Sequence, residues 1–330
     1  MRSLVLALAL FAAGPLCAET PVSFSGFVDL AAVYNANRPE SHDNFIPGTG
    51  TSGKRANELM LNLAQVQWSR PATAADPAGF TLALVAGEGA DVVHAAESAG
   101  LRHVYQASVA YRLRNGVLLE AGVYPSHIGM EGLYSKDNWS YTRSWLGELS
   151  PYYQTGVKAS YALDERWSAQ LHVLNGWQNV HDNDDGKAVG TQLAYASGPV
   201  TASFNTFVDA SRRFGDVVVL VRVHPRLQLG ASVDVAVEDD ARWHGAGGYA
   251  RYAFGERHAV ALRAEEFRDP DAGISGTAQT LREATLTYEL RPREHLIFKL
   301  ETRWDRSTAR VFADDERTQF LAIAGAVVTF

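Results

Sequence analysis

Ten charged residues sit at alternate positions within otherwise apolar segments: Asp29, Glu120, Lys158, Arg222, Asp234, Arg251, Arg263, Lys299, Glu301 and Arg303. Glu265 and Asp305 extend the series. The clearest case runs from residue 296 to 305, where Leu296, Phe298, Leu300, Thr302 and Trp304 alternate with Ile297, Lys299, Glu301, Arg303 and Asp305. A spacing of two puts one set on each face of a strand, so one face is apolar and the other almost wholly charged. Charges lining the inner face of a closed sheet raise barriers that select among permeating solutes. They can also pair across neighbouring strands and only hold the wall together, and more than half are expected to do that. With both signs present, strong ion selectivity is not expected.

A second set lies in residues 125–151, the longest stretch without strand rhythm. It holds Glu131, Lys136, Asp137, Arg143 and Glu148 among Trp139, Tyr141 and Trp145, with Tyr152 just beyond. Irregular backbone at membrane depth is tolerated only where it lines water or is buried in protein. The segment is therefore expected to fold inward as a constriction. Glu131, Asp137 and Glu148 would then face Lys158, Arg222 or Arg251, and Arg143 would disfavour cations. The alternative is an exposed loop held down by its aromatics.

Other chemistry finds little support. The ten His residues are scattered, and neither Gly-x-Ser-x-Gly nor His-Glu-x-x-His occurs. A hydrolase needs nucleophile, base and orienting group to converge, so no enzyme is expected. His181-Asp182-Asn183-Asp184-Asp185-Gly186 resembles the start of a calcium loop but lacks the terminal Glu and flanking helices. It reads as a polar turn, and no cofactor or metal is expected. The acidic runs 238–240 and 314–316 could bridge lipopolysaccharide through divalent ions or simply be solvated.

The elements that must carry these residues are strands. Period-two alternation marks about sixteen, at roughly 22–34, 56–69, 79–88, 102–112, 116–124, 152–162, 166–175, 187–197, 199–209, 214–224, 226–237, 243–254, 257–267, 279–290, 294–305 and 318–330. Short turns, such as Arg114-Asn115-Gly116 and Pro292-Arg293, alternate with longer loops. That is the layout of an antiparallel up-and-down transmembrane β-barrel. Tyr34, Trp68, Tyr105, Tyr111, Tyr161, Trp167, Tyr252 and Trp304 fall near strand ends, where aromatic girdles meet lipid headgroups. A soluble periplasmic β-sandwich would also alternate, but it has no need of such belts or of so charged an inner face.

The start of the chain sets the compartment. Arg2 precedes an apolar run from Leu4 to Ala13, and Leu16-Cys17-Ala18 precedes Glu19. This describes a secretory signal peptide over residues 1–18, leaving 19–330 as a single barrel domain. A lipoprotein reading through Cys17 is disfavoured by the bulky Leu16. Without Cys17 the mature chain has no thiol, which excludes disulfides and cysteine metal sites. The net charge of −7 argues against nucleic acid as a partner. A hydrophobic content of 46% with mean hydropathy −0.14 fits both a soluble protein and an alternating barrel, so composition alone does not decide.

Between residues 120 and 195 the motifs become specific. Glu120-Ala121-Gly122-Val123-Tyr124, Asn138-Trp139-Ser140-Tyr141-Thr142-Arg143-Ser144 and Thr155-Gly156-Val157-Lys158-Ala159-Ser160-Tyr161 occur in that order. With Asn175-Gly176-Trp177-Gln178-Asn179 and the opening Phe24-Ser25-Gly26-Phe27-Val28-Asp29, they resemble the β-barrel porin-2 family of outer-membrane proteins. Trp139 and Thr142 depart from that family's tighter Asn-Tyr-Ser-Arg-Ser run. The resemblance implies an outer-membrane barrel and passive passage of small polar solutes or ions, without naming a solute. The terminal Phe330, closing an amphipathic strand, resembles the recognition signal of the barrel-assembly machinery. Expected partners are outer-membrane lipid and lipopolysaccharide, that machinery and small polar solutes, with the chain a monomer or homotrimer. A structural or receptor-type barrel with a plugged lumen is the alternative.

Overall fold

In a computed structural model the described residues are 20–46, 48–182 and 186–330. The signal-peptide segment and Asn183, Asp184 and Asp185 of the calcium-like run lie outside them. Where alternation is regular, strands form: β1 (Ser23–Asn35), β2 (Glu58–Arg70), β3 (Ala78–Ala86), β4 (Val104–Arg112), β5 (Leu118–Pro125), β6 (Tyr153–Ala162), β7 (Trp167–Leu174) and β8 (Ala188–Ser197). The second half continues with β9 (Val200–Val208), β10 (Arg212–His224), β11 (Leu227–Glu238), β12 (Ala241–Ala253), β13 (His258–Asp269), β14 (Gln279–Arg293), β15 (Leu296–Ser307) and β16 (Thr318–Thr329).

Each strand pairs antiparallel with its sequence neighbours, and β1 pairs with β16 from Phe27↔Thr329 to Asn35↔Leu321, closing the barrel. Closure satisfies the backbone groups an open edge would leave bare, which a membrane-embedded sheet requires. At the rim carrying both termini the links are short; the long links, including 36–57, 87–103 and 126–152, gather at the opposite rim. The two are called here the turn rim and the loop rim.

Outward positions are apolar and exposed, as at Val28, Leu30, Leu59, Leu171, Phe204, Leu262 and Leu300. Tyr34, Tyr111, Tyr161, Trp167, Tyr252 and Trp304 also face out. Tyr105 does not: it is buried inside the barrel, 5.3 Å ring to ring from Tyr134 of the long loop. The register of β3 and β4 shifts between Ala83 and Leu84, beside Tyr105, and position in the strand alone gave no notice of this.

Inside, the two halves differ. Toward the loop rim, the inward positions are Phe207, Phe214, Trp243, Phe267, Leu281 and Leu321, packed in one buried cluster with Phe45, Ile46, Trp145 and Leu146 from the loops. Toward the turn rim, the wall of β2 and β4–β9 carries half-buried polar groups, among them Gln67, Gln106, Glu120, Lys158, Gln170, Gln192 and Ser203. Among the described residues there are two short α-helices, α1 (Glu88–Val93) and α2 (Trp145–Glu148), both in the long links.

Candidate functional site

Residues 126–152 leave β5, cross the barrel interior and return to β6. Their first leg lies on β8–β11. The ring of His127 stacks on His172 at 4.2 Å, and its imidazole contacts Gln154 Oε1 at 2.8 Å and Thr206 O at 3.0 Å. Burial pushes the His127 imidazole pKa below its ordinary value, and the contacts to Thr206 and Gln154 oppose that shift without reversing it. Gly129 N donates to Asp216 Oδ2 at 3.2 Å.

The turn of the loop reaches furthest toward the turn rim. Lys299 Nζ donates to Ser135 O at 2.7 Å, to Ser140 O at 3.3 Å and to Asn138 O. Three carbonyls around this buried ammonium replace its water shell, and Glu289 stands 3.7 Å away as a counter-charge. Asp29 accepts from Ser135 Oγ, from Tyr141 OH at 2.9 Å and from Asn62 Nδ2 at 2.9 Å.

The ascending leg runs up the wall of β13–β16, where charged residues grip its backbone one after another. Glu301 accepts from Tyr141 N, from Thr142 N at 3.0 Å and from Thr142 Oγ1. Arg303 donates to Arg143 O and pairs with Asp305 at 2.9 Å. Glu265 accepts the Trp145 and Leu146 amides, first-turn groups of α2 that have no partner within the helix. Ser144 caps that helix, its Oγ accepting from Gly147 N at 2.9 Å.

Arg263 joins wall to loop most densely. Its guanidinium meets Glu283 at 2.6 Å and Glu131 at 2.7 Å and donates to Thr142 O at 2.6 Å. Burial raises the Glu131 carboxyl pKa, but Arg263 and the Ser144 amide and hydroxyl outweigh it and hold the group below its ordinary value.

The transverse arrangement expected of the loop charges is not what the side chains form. Glu131 is spent on Arg263. Glu148 accepts from Gly50 N, Thr51 N, Thr51 Oγ1 and Tyr152 OH, tying α2 to the link 36–57. Arg143 donates to Glu131 O and Gly147 O with its guanidinium 4.0 Å over the Tyr152 ring, so it is buried within the loop and does not face a path. Lys136 and Asp137 remain toward water, paired at 2.8 Å. The physical reason is desolvation: a loop that fills space must have its charges compensated nearby, not across a gap.

The wall charges divide the same way. Asp29, Arg263, Glu265, Lys299, Glu301 and Arg303 hold the loop, and Asp234 touches it through Ser150 Oγ at 3.3 Å. Glu120 with Lys158 at 2.7 Å, and Arg251 with Glu289 at 2.9 Å, pair along the turn-rim half. Arg222 is exposed and lines a cavity of about 320 Å³ with Trp139, Thr201 and Gln228.

Sequence reasoning missed Asp216, Glu283, Ser135, Thr142 and the seats for the loop's larger side chains. Those seats are inward glycines. An added Cβ would strike Tyr141 at Gly325, Leu146 at Gly245, His127 at Gly190 and Met130 at Gly230. Glycine at an inward strand position marks a close approach, a signal present in the sequence and not used.

A family model described as "Putative beta-barrel porin-2, OmpL-like" matches residues 21–330. No curated protein is a significant match to the sequence. Among solved structures, the outer membrane channel DcaP of Acinetobacter baumannii superposes with a TM-score of 0.63 at 12% identity, over 97% of this chain and 100% of that one. The anion-selective porin from Comamonas acidovorans gives 0.63 at 12%, over 94% and 99%. In-vitro folded OmpT of Vibrio cholerae in its trimer form gives 0.59 at 10%, over 94% and 99%. At such identities the likeness shows the fold alone.

Proposed function

Since the chain belongs to the β-barrel porin-2, OmpL-like family, we propose that it is a bacterial outer-membrane porin whose lumen is narrowed by residues 126–152. Small polar solutes diffuse through it passively. The observation that carries this reading is the inner wall of β2 and β4–β9. There Gln67, Gln106, Glu120, Lys158, Gln170, Gln192 and Ser203 keep part of their surface open inside a closed barrel. A packed interior would have buried or replaced them. The charges left toward water are of both signs, and most are paired, so neither cations nor anions are strongly favoured. Export by residues 1–18 belongs to the same reading. Assembly as a homotrimer is supported by the trimer form of the OmpT structure.

One observation favours the second reading, a receptor-type or structural barrel: the apolar cluster that fills the loop-rim half. Liposome swelling separates the two. Liposomes holding the purified protein should swell in pentoses and hexoses at rates falling steeply with solute size. Rates equal to protein-free liposomes for every solute would favour the plugged barrel.

A further inference from the structure

Asp216 on β10 and Asp234 on β11 are direct register partners, and both point into the barrel. Directly opposed side chains in an antiparallel pair have Cβ atoms about 5 Å apart. Two carboxylates so placed repel, and in the interior that repulsion is only weakly screened. Elsewhere among the described residues, opposed buried carboxylates share a guanidinium: Arg263 lies between Glu131 and Glu283, and Arg303 beside Glu283 and Asp305. Among the described residues, no ion pair involves Asp216 or Asp234.

Two like charges alone would not define a site. The distinguishing observation is that Oδ1 of each carboxylate has no hydrogen-bond partner, although the residues are only 1% and 2% exposed. The other oxygens are engaged, Asp216 Oδ2 by Gly129 N and Asp234 Oδ2 by Ser150 Oγ. Neutral polar groups stand alongside on the same face: Asn205, the register partner of Asp216 on β9, whose Oδ1 already accepts from Gln192 Nε2 at 2.8 Å, and Ser232, two residues before Asp234; both are buried. A buried carboxylate oxygen left unmatched is strongly disfavoured, because it gives up its water without gaining a partner.

We propose that Asp216 and Asp234 bind one divalent cation of the calcium class. Two carboxylates supplemented by the hydroxyl oxygens of Ser150 and Ser232 and by water suit a hard ion that takes oxygen ligands in flexible geometry. The ion cancels the charge of the pair. It also acts on the long loop, because Gly129 belongs to the descending leg and Ser150 to the returning one. A single ion beneath both would pin the two legs to the same pair of strands. The inference does not depend on what passes through the lumen.

The test uses the mature protein purified in detergent, freed of lipopolysaccharide and stripped with chelator, then titrated calorimetrically with CaCl2 and with MgCl2. The parent is expected to bind one Ca2+ per chain and to gain thermal stability from it. D216N and D234N should each weaken that binding by about tenfold or more, and D216N/D234N should abolish it and the thermal gain. D239N/D240N, on an exposed tip, should bind like the parent. A parent that binds neither ion at millimolar concentration overturns the proposal, as would be expected if a shared proton neutralises the pair. Undiminished binding by D234N also overturns it. Asp→Asn keeps the shape of the side chain, and should the double variant not fold, the single ones decide.

Discussion

Replacing Arg263 by Met tests whether the inward loop is held by wall charges. The side chain is fully buried and compensates Glu131 and Glu283 at 2.7 and 2.6 Å. Met preserves length and bulk but leaves both carboxylates buried with one fewer partner. Removing one member of a buried ion pair costs about 3–5 kcal/mol. The barrel ladder does not use this side chain, so the cost falls on the anchored state of the loop. Glu131 would prefer to leave with its segment and take the Ser144 amide with it. At about 1.4 kcal/mol per factor of ten, local opening becomes more frequent by about two orders of magnitude or more. Hydrogen–deuterium exchange followed by mass spectrometry reads this directly. The amides of Tyr141, Thr142, Ser144, Trp145 and Leu146, all held by carboxylates, should exchange about a hundredfold faster. Peptides from β14 and β15 should be unchanged. Partial recovery in R263M/E131Q would assign the effect to the stranded charge. Unaltered exchange of residues 141–146 in folded R263M would refute the anchoring argument.

Three further outcomes follow from the same geometry. G325A forces a Cβ against the Tyr141 ring and should cost about 1–3 kcal/mol of loop docking, visible as faster exchange at residues 139–142 with normal heat-modifiability. Glu131 is held below its ordinary value of 4.5, so its anchoring is complete above that pH and fades only as pH falls through the lower folded value. The share of loop protection that Glu131 supplies, read as the difference in exchange between the parent and E131Q at each pH, should therefore be constant from pH 7 to 5 and shrink in stronger acid. Deleting Phe330, whose backbone exchanges hydrogen bonds with Gly26 at 2.9 and 3.0 Å, should lower the amount of assembled barrel without blocking export. A normal yield of heat-modifiable protein would contradict the assembly role.

Much of the fold was legible because a strand with one face on lipid must alternate. Leu296–Ser307 shows its two faces in the sequence alone, and its span in the structure differs by a residue or two from the expected one. The link between residues 125 and 152 was equally visible as a loss of rhythm. What alternation does not carry is what an inward side chain meets. Lys299 and Glu301 look like pore-lining charges until Ser135, Ser140 and Tyr141 are found against them, because the partners lie about 160 residues away. The apolar filling of the loop-rim half left a partial trace: Phe207 and Phe267 occupy positions where a wet lumen would place polar groups. Calling that half filled also required knowing that Phe45 and Trp145 fold in from distant loops.

The central claim is a water-filled path narrowed by an inward loop, and single-channel recording in a planar bilayer tests it most directly. Purified protein should give discrete, ohmic steps with a reversal potential near zero in a salt gradient. A folded variant lacking residues 129–146 should give larger steps and pass larger sugars, because sixteen strands without an internal loop enclose an aqueous channel. Failure of both proteins to conduct, or identical conductance and size cut-off in the two, would contradict the account.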